Sequence, residues 1–387
     1  MTSKAIQPDL TVVGDVMPGR KVARSLQRVG FGKAAASLRG LLTGRVVVGN
    51  LECVLSDAGM DAPRKPDGGP ALCAPSSAAV WLREAGFHVL SLANNHAMDG
   101  GPRGLASTIR SLRRAGVRTL GAGGDLAEAL APLVLPCGSR QVALLAFGNG
   151  PPAGRDSPGV APLNSDALAR ALGRVPRTAD ATVVLVHAGL EFLECPESWL
   201  RRFAAEALAG GADLVIGSHP HCLRGVHRGE QGVVLYSLGD FLMDTADRDL
   251  LNEHLTRTAI TRLGFAPTGA LHCREGLVAD IRLNGTGTPD CALRPVVLND
   301  DFLPRAPGGQ ERGDLLERVR LLSETLRDPR SEEMRRARRI EKAYRASFGG
   351  RRKVTSWLAL PFRLARRGAV RFLRPIARSR PGAARAR

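Results

Sequence analysis

Several side chains that can bind a metal ion stand directly after short apolar runs in this sequence. They are Asp15, Glu52, Asn95, His187, His219 and His221. Carboxylate and carboxamide oxygens combined with imidazole nitrogens suit Mn, Zn or Fe better than Mg or Ca. The His219-Pro220-His221 segment also places two imidazoles on one short loop, which suits metal ligation. We therefore expect a site for one or two divalent transition-metal ions, although Asp15 could instead cap a helix and Glu52 could be a solvated turn residue.

The segment ANNHAMD at 93–99 follows another short apolar run. A carboxamide oxygen there can bind a metal while the imidazole of His96 faces a substrate, and Asp99 can orient that imidazole and raise its basicity. Folding alone does not require this combination at the end of a strand. We therefore predict that His96 transfers a proton and that Asp99 is its partner. Three further polar side chains are predicted to contact the substrate: Asn50, Asn94 and Asp240.

These side chains need a scaffold that brings distant segments of the chain together. Short apolar runs are typical of buried strands, and in an open α/β sheet the residues just beyond the strand ends line the ligand crevice. The predicted strands are 10–13, 46–48, 88–92, 117–120, 141–147, 181–186, 213–216 and 233–236. The predicted helices are 18–29, 76–85, 102–115, 165–174 and 197–209. This repeated strand-then-helix order predicts a layered α/β domain.

The pattern changes beyond about residue 255. Strand-like runs at 258–262, 277–283 and 292–297 predict a terminal antiparallel portion without helices between its strands. Residues 311–327 and 331–347 then show the spacing of charged helices. Two segments rich in Gly and Pro, 56–75 and 148–162, are either functional lids or tolerated insertions.

The positive charge is concentrated at the C-terminal end. Residues 331–387 contain 18 Lys and Arg against 3 Glu, a net charge of +15, whereas the whole chain carries +18. Residues 361–378 project as a helix with six arginines on one face and mainly apolar residues opposite, which suits an anionic membrane surface. We predict such a contact through 351–378. Alternatives are a tail packed on the body or an acidic polymer as partner, and we do not expect nucleic acid because no reading module accompanies the charge.

The cysteines and the N-terminus bear on the compartment. Seven cysteines are scattered without a Cys-x-x-Cys pair, which fits free thiols in a reducing environment. The start of the chain shows no signal-peptide pattern, and no run reaches the ~20 apolar residues that a spanning helix needs. We therefore expect a cytoplasmic protein attached peripherally to the inner face of the membrane.

Six segments within residues 10–244 resemble, in this order, the CapA family. They are VGDVM at 13–17, GNLE at 49–52, SLANNHAMD at 91–99, VHAGLE at 186–191, GADLVIGSHPH at 211–221 and YSLGDF at 236–241. The family is named for capsule biosynthesis involving poly-γ-glutamate and looks like a branch of the calcineurin-like metallophosphoesterases. The resemblance implies a four-layer α/β/β/α sandwich of metallophosphoesterase type with a metal centre at the strand ends.

The resemblance also implies roles for individual residues. One metal would be held by Asp15, Glu52 and His221. The other would be held by Glu52, Asn95, His187 and His219, and His96 would stand where the phosphoesterases keep a general acid. Three positions depart from the phosphoesterase pattern: Met17 replaces a histidine, Ala188 a tryptophan and Asp240 an asparagine. These departures leave the natural substrate open.

We conclude from the sequence that residues 1–304 form a CapA-like α/β domain and residues 305–387 a basic, helical extension. The predicted function is that of a metal-dependent enzyme with hydrolase or transferase chemistry, serving the synthesis of a capsule or a poly-γ-glutamate-like polymer. An anionic polymer or a phosphorylated small molecule is the expected substrate, and polymer synthase subunits are expected partners. Two alternatives stay open: a phosphomonoesterase or phosphodiesterase for a small metabolite, and a non-catalytic subunit that tethers a synthase to the membrane.

Overall fold

The computed structural model of the protein describes residues 7–57, 71–255, 258–283 and 288–348. The tail helix predicted at 361–378, the membrane contact predicted through 351–378 and residues 58–70 of the predicted loop lie outside the described residues. The strands are β1 Leu10–Val16, β2 Val46–Leu51, β3 Val54–Leu55, β4 Cys73–Ala74, β5 Val89–Ser91, β6 Arg118–Leu120, β7 Ala122–Gly123, β8 Leu133–Cys137, β9 Arg140–Gly148, β10 Gly159–Val160, β11 Ala181–His187, β12 Leu214–Ser218, β13 Val226–Gly229, β14 Gly232–Leu235, β15 Asp240–Leu242, β16 Glu275–Arg282, β17 Asp290–Leu298 and β18 Pro304–Arg305. The helices are α1 Arg20–Val29, α2 Phe31–Leu41, α3 Ala78–Glu84, α4 Gly101–Arg114, α5 Leu126–Ala129, α6 Ser165–Leu172, α7 Ser198–Ala209, α8 Arg248–Leu255, α9 Ala259–Arg262, α10 Gly309–Arg327 and α11 Glu332–Phe348, and a short 3₁₀ helix spans Thr268–His272.

Two large sheets carry most of the strands. The first has the order β18-β17-β16-β1-β2-β5-β6, and β15 also pairs with β1. Its strands β1, β2, β5 and β6 are parallel, whereas β16, β17 and β18 extend it in antiparallel fashion. The second has the order β13-β14-β12-β11-β9-β8, with four parallel strands between two antiparallel edges. Parallel neighbours require crossover connections, which explains why helices separate most of them along the chain.

The sheets pack face to face, and helices cover their outer faces. On β1, Val12 joins an apolar cluster shared by the two sheets, whereas its neighbour Val13 joins a cluster with α1, α2, α3 and α4. On β11, Val183 joins the cluster between the sheets, and Val184 joins a cluster with α6, α7 and α11. Because successive strand residues face opposite sides, the layers are α/β/β/α. The predicted four-layer sandwich is confirmed.

The structure contains the eight predicted strands and the five predicted helices of the α/β part, with ends that differ by a few residues. The strands predicted at 277–283 and 292–297 correspond to β16 and β17. The strand predicted at 258–262 is wrong, because this segment contains helix α9. The side chain of Thr258 accepts a hydrogen bond from the backbone N–H of Thr261 and so caps the helix.

The two charged helices after residue 304 pack on the sandwich. Leu315 and Val319 of α10 join the cluster between the sheets, and Met334 and Ile340 of α11 join the outer cluster of the second sheet. The predicted domain boundary at residue 304 stays a prediction. Over the described ranges, no helix combines the length and the apolar content that crossing a membrane requires.

Candidate metal centre

The predicted metal-binding residues lie at the carboxyl ends of parallel strands from both sheets. Asp15 lies on β1, Glu52 directly follows β2, and His187 is the last residue of β11. His219 and His221 belong to the loop that follows β12. The backbone N–H of His219 donates to Oδ2 of Asp15 over 3.0 Å. The strand ends of the two sheets therefore meet at the site.

A glycine at position 14 allows β15 to approach β1. A Cβ atom on Gly14 would lie 1.8 Å from the carbonyl oxygen of Gly239, which no larger residue can tolerate. The same oxygen accepts a hydrogen bond from the backbone N–H of Asp15 over 3.3 Å. In the pairing of the two strands Asp15 lies opposite Asp240. The Gly14-Asp15 pair thus brings two carboxylates to one edge of the sheet.

Two groups of three buried side chains are able to hold a metal ion. We call them the His221 triad, which is Asp15, Glu52 and His221, and the His219 triad, which is Glu52, His187 and His219. In each triad the ligand atoms lie within 4.8 Å of one another. Glu52 belongs to both triads, so its carboxylate lies at their common corner. The His221 triad is the first grouping that the family resemblance implied, and the His219 triad is the second without Asn95; the role of each residue as a ligand stays a prediction.

The environment of the Glu52 carboxylate shows whether these residues fit a metal. It is fully buried, yet neither of its carboxylate oxygens has a hydrogen-bond partner among the described residues. Its Oε1 lies 3.5 Å from Nε2 of His187 and 3.9 Å from Nε2 of His221. A buried carboxylate is costly unless it is paired or coordinates a metal, and the histidines around Glu52 give it long ion pairs without a hydrogen bond. The mixed oxygen and nitrogen donors fit a divalent Mn, Zn or Fe ion.

His187 contacts four other residues of the site through its two ring nitrogens. Its Nε2 lies 2.8 Å from Oδ1 of Asn95 and 3.1 Å from Nδ1 of His219. Its Nδ1 lies 3.0 Å from the amide nitrogen of Asn50 and 3.4 Å from Oδ1 of Asp15. The carboxamide oxygen of Asn95 therefore lies beside the His219 triad, where the resemblance implied a fourth ligand.

The amides of Asn50 and Asn94 lie inside the cluster. Asn50 donates to Oδ1 of Asp15 over 2.8 Å, and Asn94 donates to Oδ1 of Asn50 over 3.2 Å and to the carbonyl of Leu51 over 2.8 Å. The Oδ1 atom of Asn94 accepts a hydrogen bond from the backbone N–H of His96 over 3.0 Å. The two amides thus brace the turn that carries His96, and their contact with substrate stays a prediction.

His96 and Asp99 form a pair at the rim of the cluster. Nδ1 of His96 lies 2.6 Å from Oδ2 of Asp99, and Nε2 lies 3.8 Å from Oε1 of Glu52. The same Asp99 oxygen accepts a hydrogen bond from the backbone N–H of Leu72 over 2.7 Å. The side chain of His96 is 11% exposed, whereas that of Glu52 is not exposed. His96 therefore presents Nε2 to the cluster and remains accessible from the rim.

The positions that depart from the phosphoesterase pattern are buried. The Sδ atom of Met17 accepts a hydrogen bond from the backbone N–H of Gly19 over 3.1 Å. Asp240 is 1% exposed, and its Oδ1 lies 2.8 Å from Nδ1 of His221. Asp240 therefore lies behind His221, and its predicted contact with substrate stays a prediction. Ala188 is likewise buried.

Sequence reasoning missed several residues that contact the triads, among them Asn149 and His254. Asn149 lies 3.2 Å through its amide nitrogen from Nε2 of His219, and it follows β9, so the strand-end pattern could have identified it. The ring of His254, on α8, lies 6.0 Å between centroids from that of His221, and its Nε2 lies 3.0 Å from Oε2 of Glu191. No local pattern marks His254, because the packing of α8 brings it to the site.

Burial and the mutual charges of the cluster shift its pKa values strongly. Burial alone would raise the pKa of Glu52, but His187 and His221 outweigh it and hold that pKa well below its usual value. Burial would lower the pKa of His187, but Glu52 and Asp15 raise it to about 9. The pKa of His221 is raised in the same way by Asp240 and Glu52. Burial and the neighbouring His187 lower the pKa of His219.

The metal-free protein is expected to lose stability as the pH rises. Because the folded pKa of His187 is about 9 against an ordinary value of 6.5, its stabilising effect is complete below the unfolded pKa and is lost as the pH rises through the folded one. Each pKa unit corresponds to about 1.4 kcal/mol. The check is the Tm of chelator-treated protein across this range. A Tm that stays constant, or one that falls equally in His187→Asn, would contradict the assignment.

The family described as "Bacterial capsule synthesis protein PGA_cap" matches residues 9–245, which is more than half of the chain. The chain belongs to this family. The matched residues include both triads and the His96–Asp99 pair, so the candidate metal centre lies within the segment that defines the family.

Relatives in the family carry names related to capsule and polymer synthesis. "Capsule biosynthesis protein CapA" of Bacillus anthracis is 31% identical over 281 residues, which cover 69% of this chain and 68% of the relative. A "Probable polyglutamine synthesis accessory protein" of Mycobacterium tuberculosis is 30% identical over 236 residues, covering 55% of this chain and 59% of that protein. Among solved structures, a phosphatase of Mycoplasma pneumoniae aligns with a TM-score of 0.45 and 13% identity, covering 77% of this chain and 94% of that one.

Proposed function

We propose that this chain is a metal-dependent enzyme with hydrolase or transferase chemistry that serves the synthesis of a capsule or a poly-γ-glutamate-like polymer. The observation that carries the proposal is the position of Glu52. Both of its oxygens are buried without a hydrogen-bond partner among the described residues, at the corner shared by the two triads. Family membership supports a role in capsule or polymer synthesis, and the two triads support a metal-dependent reaction.

The residues of the site have distinct tasks in this proposal. The His221 triad and the His219 triad, the latter with Asn95, would hold one or two divalent ions. A bound divalent ion supplies Lewis-acid stabilisation of the negative charge that develops during attack. His96 would deliver a proton from Nε2 to the leaving group. Asp99 holds Nδ1 of that ring and so keeps Nε2 directed at the cluster.

Two other functions compete with this proposal. A phosphomonoesterase or phosphodiesterase for a small metabolite would use the same residues, so it differs only in its substrate. A non-catalytic subunit of a polymer synthase would not need an accessible proton donor. The partial exposure of His96 beside buried ligand candidates favours an enzyme over such a subunit.

The expected result is that purified full-length protein, after reconstitution with Mn, Zn or Fe, retains about one to two metal ions per chain. The reconstituted protein should then hydrolyse at least one of three substrate classes: phosphomonoesters, phosphodiesters or γ-glutamyl peptides. Metal content is measured by elemental analysis after removal of free ions, and turnover is compared before and after chelation.

The outcomes separate the three functions. Cleavage of γ-glutamyl peptides supports the polymer-related enzyme, and cleavage limited to phosphate esters supports the metabolite enzyme. A chain that retains only trace metal, or whose chelation leaves turnover unchanged, contradicts both. The non-catalytic subunit would then be the better description.

The proposal extends to location and partners. An anionic polymer and the subunits of a polymer synthase are the proposed partners. A peripheral position on the inner face of the membrane, through residues 351–378, rests on the arrangement of arginines in the sequence.

A further inference from the structure

Asp240 contacts one of the two triads and belongs to neither. It is the first residue of β15, is 1% exposed, and lies opposite Asp15 in the pairing of β15 with β1. Its Oδ1 lies 2.8 Å from Nδ1 of His221. Its Oδ2 is buried and has no hydrogen-bond partner among the described residues. A buried carboxylate is thus placed directly behind one histidine of the site.

This contact determines which nitrogen of His221 can bind a cation. When Nδ1–H donates to the carboxylate of Asp240, the lone pair of the neutral imidazole lies on Nε2. Nε2 is the atom that lies 3.9 Å from Oε1 of Glu52. A carboxylate behind a ligating imidazole also increases the basicity of the ring. Asp240 therefore orients His221 for the ligand role proposed above.

Asp240 also makes the two triads unequal in charge. The His221 triad contains the carboxylates of Asp15 and Glu52, and Asp240 adds a third beside it. The His219 triad contains only that of Glu52, and the nearby carboxylate of Glu191 is paired with His254. The attraction between a cation and a carboxylate is screened less when both are buried. A divalent ion should consequently bind more tightly at the His221 triad.

We propose that Asp240 is a positioning residue that makes the His221 triad the tighter of two metal sites in this chain. The inference rests on the proposed metal dependence. It assigns Asp240 a role through His221 in place of a contact with substrate.

The probe is Mn²⁺ alone, titrated into metal-free full-length protein while free Mn²⁺ is followed by electron paramagnetic resonance. The wild-type protein should show a tight and a weak class of site. Asp240→Ala should raise the Kd of the tight class about 10- to 100-fold, which is typical for the loss of an outer-shell partner, and leave the weak class unchanged. Asp240→Asn should cost less, because its amide oxygen can still accept the hydrogen bond from Nδ1.

Two further variants identify the classes. His219→Ala should remove the weak class and leave the tight one. Asp280→Asn is the matched control, because Asp280 is a poorly exposed aspartate of the same sheet whose partners are Arg294 and Thr11. It should change neither class. Thermal unfolding of each metal-free variant shows whether the fold is retained, and Asp240→Asn keeps the shape of the side chain if Asp240→Ala does not fold.

Several results would overturn the proposal. It fails if the tight class is unchanged in both Asp240 variants, if both classes weaken equally together with the Tm, or if His219→Ala removes the tight class. In these cases the proposed metal dependence survives, because Mn²⁺ still binds. Absence of Mn²⁺ binding in the wild-type protein would overturn the proposed function and this inference together.

Discussion

Glu52→Gln is expected to reduce the affinity for a divalent metal by more than about a hundredfold, since loss of an outer-shell partner alone costs about 10- to 100-fold. Glu52 is the residue shared by the two triads. Glutamine has nearly the same shape but no charge, so it presents a neutral amide at the corner that both triads share. Both the tight and the weak class of site should bind Mn²⁺ less tightly in this variant, whereas Asp240→Ala should weaken only the tight class. Turnover should fall with the metal content.

The measurement for Glu52→Gln is metal retention after gel filtration, together with a Mn²⁺ titration. Glu341→Gln is a matched control, because Glu341 is also buried but binds Ser198 and Arg345 on the outer side of the second sheet. This control is expected to change stability and leave metal retention unaffected. If Glu52→Gln retains metal as well as the control does, Glu52 is not a ligand and the two-triad arrangement is wrong.

The location of the site was predictable because it follows from a geometric rule. Polar residues at the ends of parallel strands meet at one edge of the sheet. Asp15 and His187 are 172 positions apart along the chain, yet their side chains lie 3.4 Å apart. The apolar runs that precede them showed where each strand ends. Nothing further was needed to expect these two side chains at one site.

The hydrogen-bond partners of the site residues were not predictable in the same way. Asp240 is predicted to contact substrate because it adds a carboxylate near the site, where the phosphoesterase pattern has an asparagine. The structure places its carboxylate on Nδ1 of His221. This contact depends on the close approach of β15 to β1 at Gly14. Such an approach is a property of tertiary packing, and a local sequence pattern does not contain it.

Two errors in secondary structure have local causes. The run at 258–262 was interpreted as a strand because it contains two threonines and an isoleucine, which favour strands. Thr258 instead caps α9 through a hydrogen bond from the backbone N–H of Thr261. Helix α2 was not predicted, because Gly32 and Gly40 lie within it and glycine disfavours helices. Its burial of Ala34 and Leu38 against the first sheet compensates for that preference.

His96→Ala is expected to lower turnover by about 10²- to 10⁴-fold, the usual contribution of a general acid. The metal content should not change, because His96 belongs to neither triad. His227→Ala is the matched control, since His227 is an exposed histidine on the edge strand β13 of the second sheet. The His227→Ala variant should keep turnover and metal content at the wild-type level. Loss of metal in His96→Ala would instead indicate that His96 is a ligand.

The leaving group separates proton donation from other roles of His96. A poor leaving group such as an alkoxide or an amine must be protonated as it departs, whereas 4-nitrophenolate is stable without a proton. The full loss in His96→Ala should therefore appear with alkyl substrates, and a much smaller loss with 4-nitrophenyl substrates, because the benefit of a general acid follows the basicity of the leaving group. Asp99→Asn should show the same dependence to a smaller degree, since it disturbs the orientation of the ring and leaves the imidazole in place. An equal loss with both kinds of substrate would mean that His96 positions the substrate and does not donate the proton.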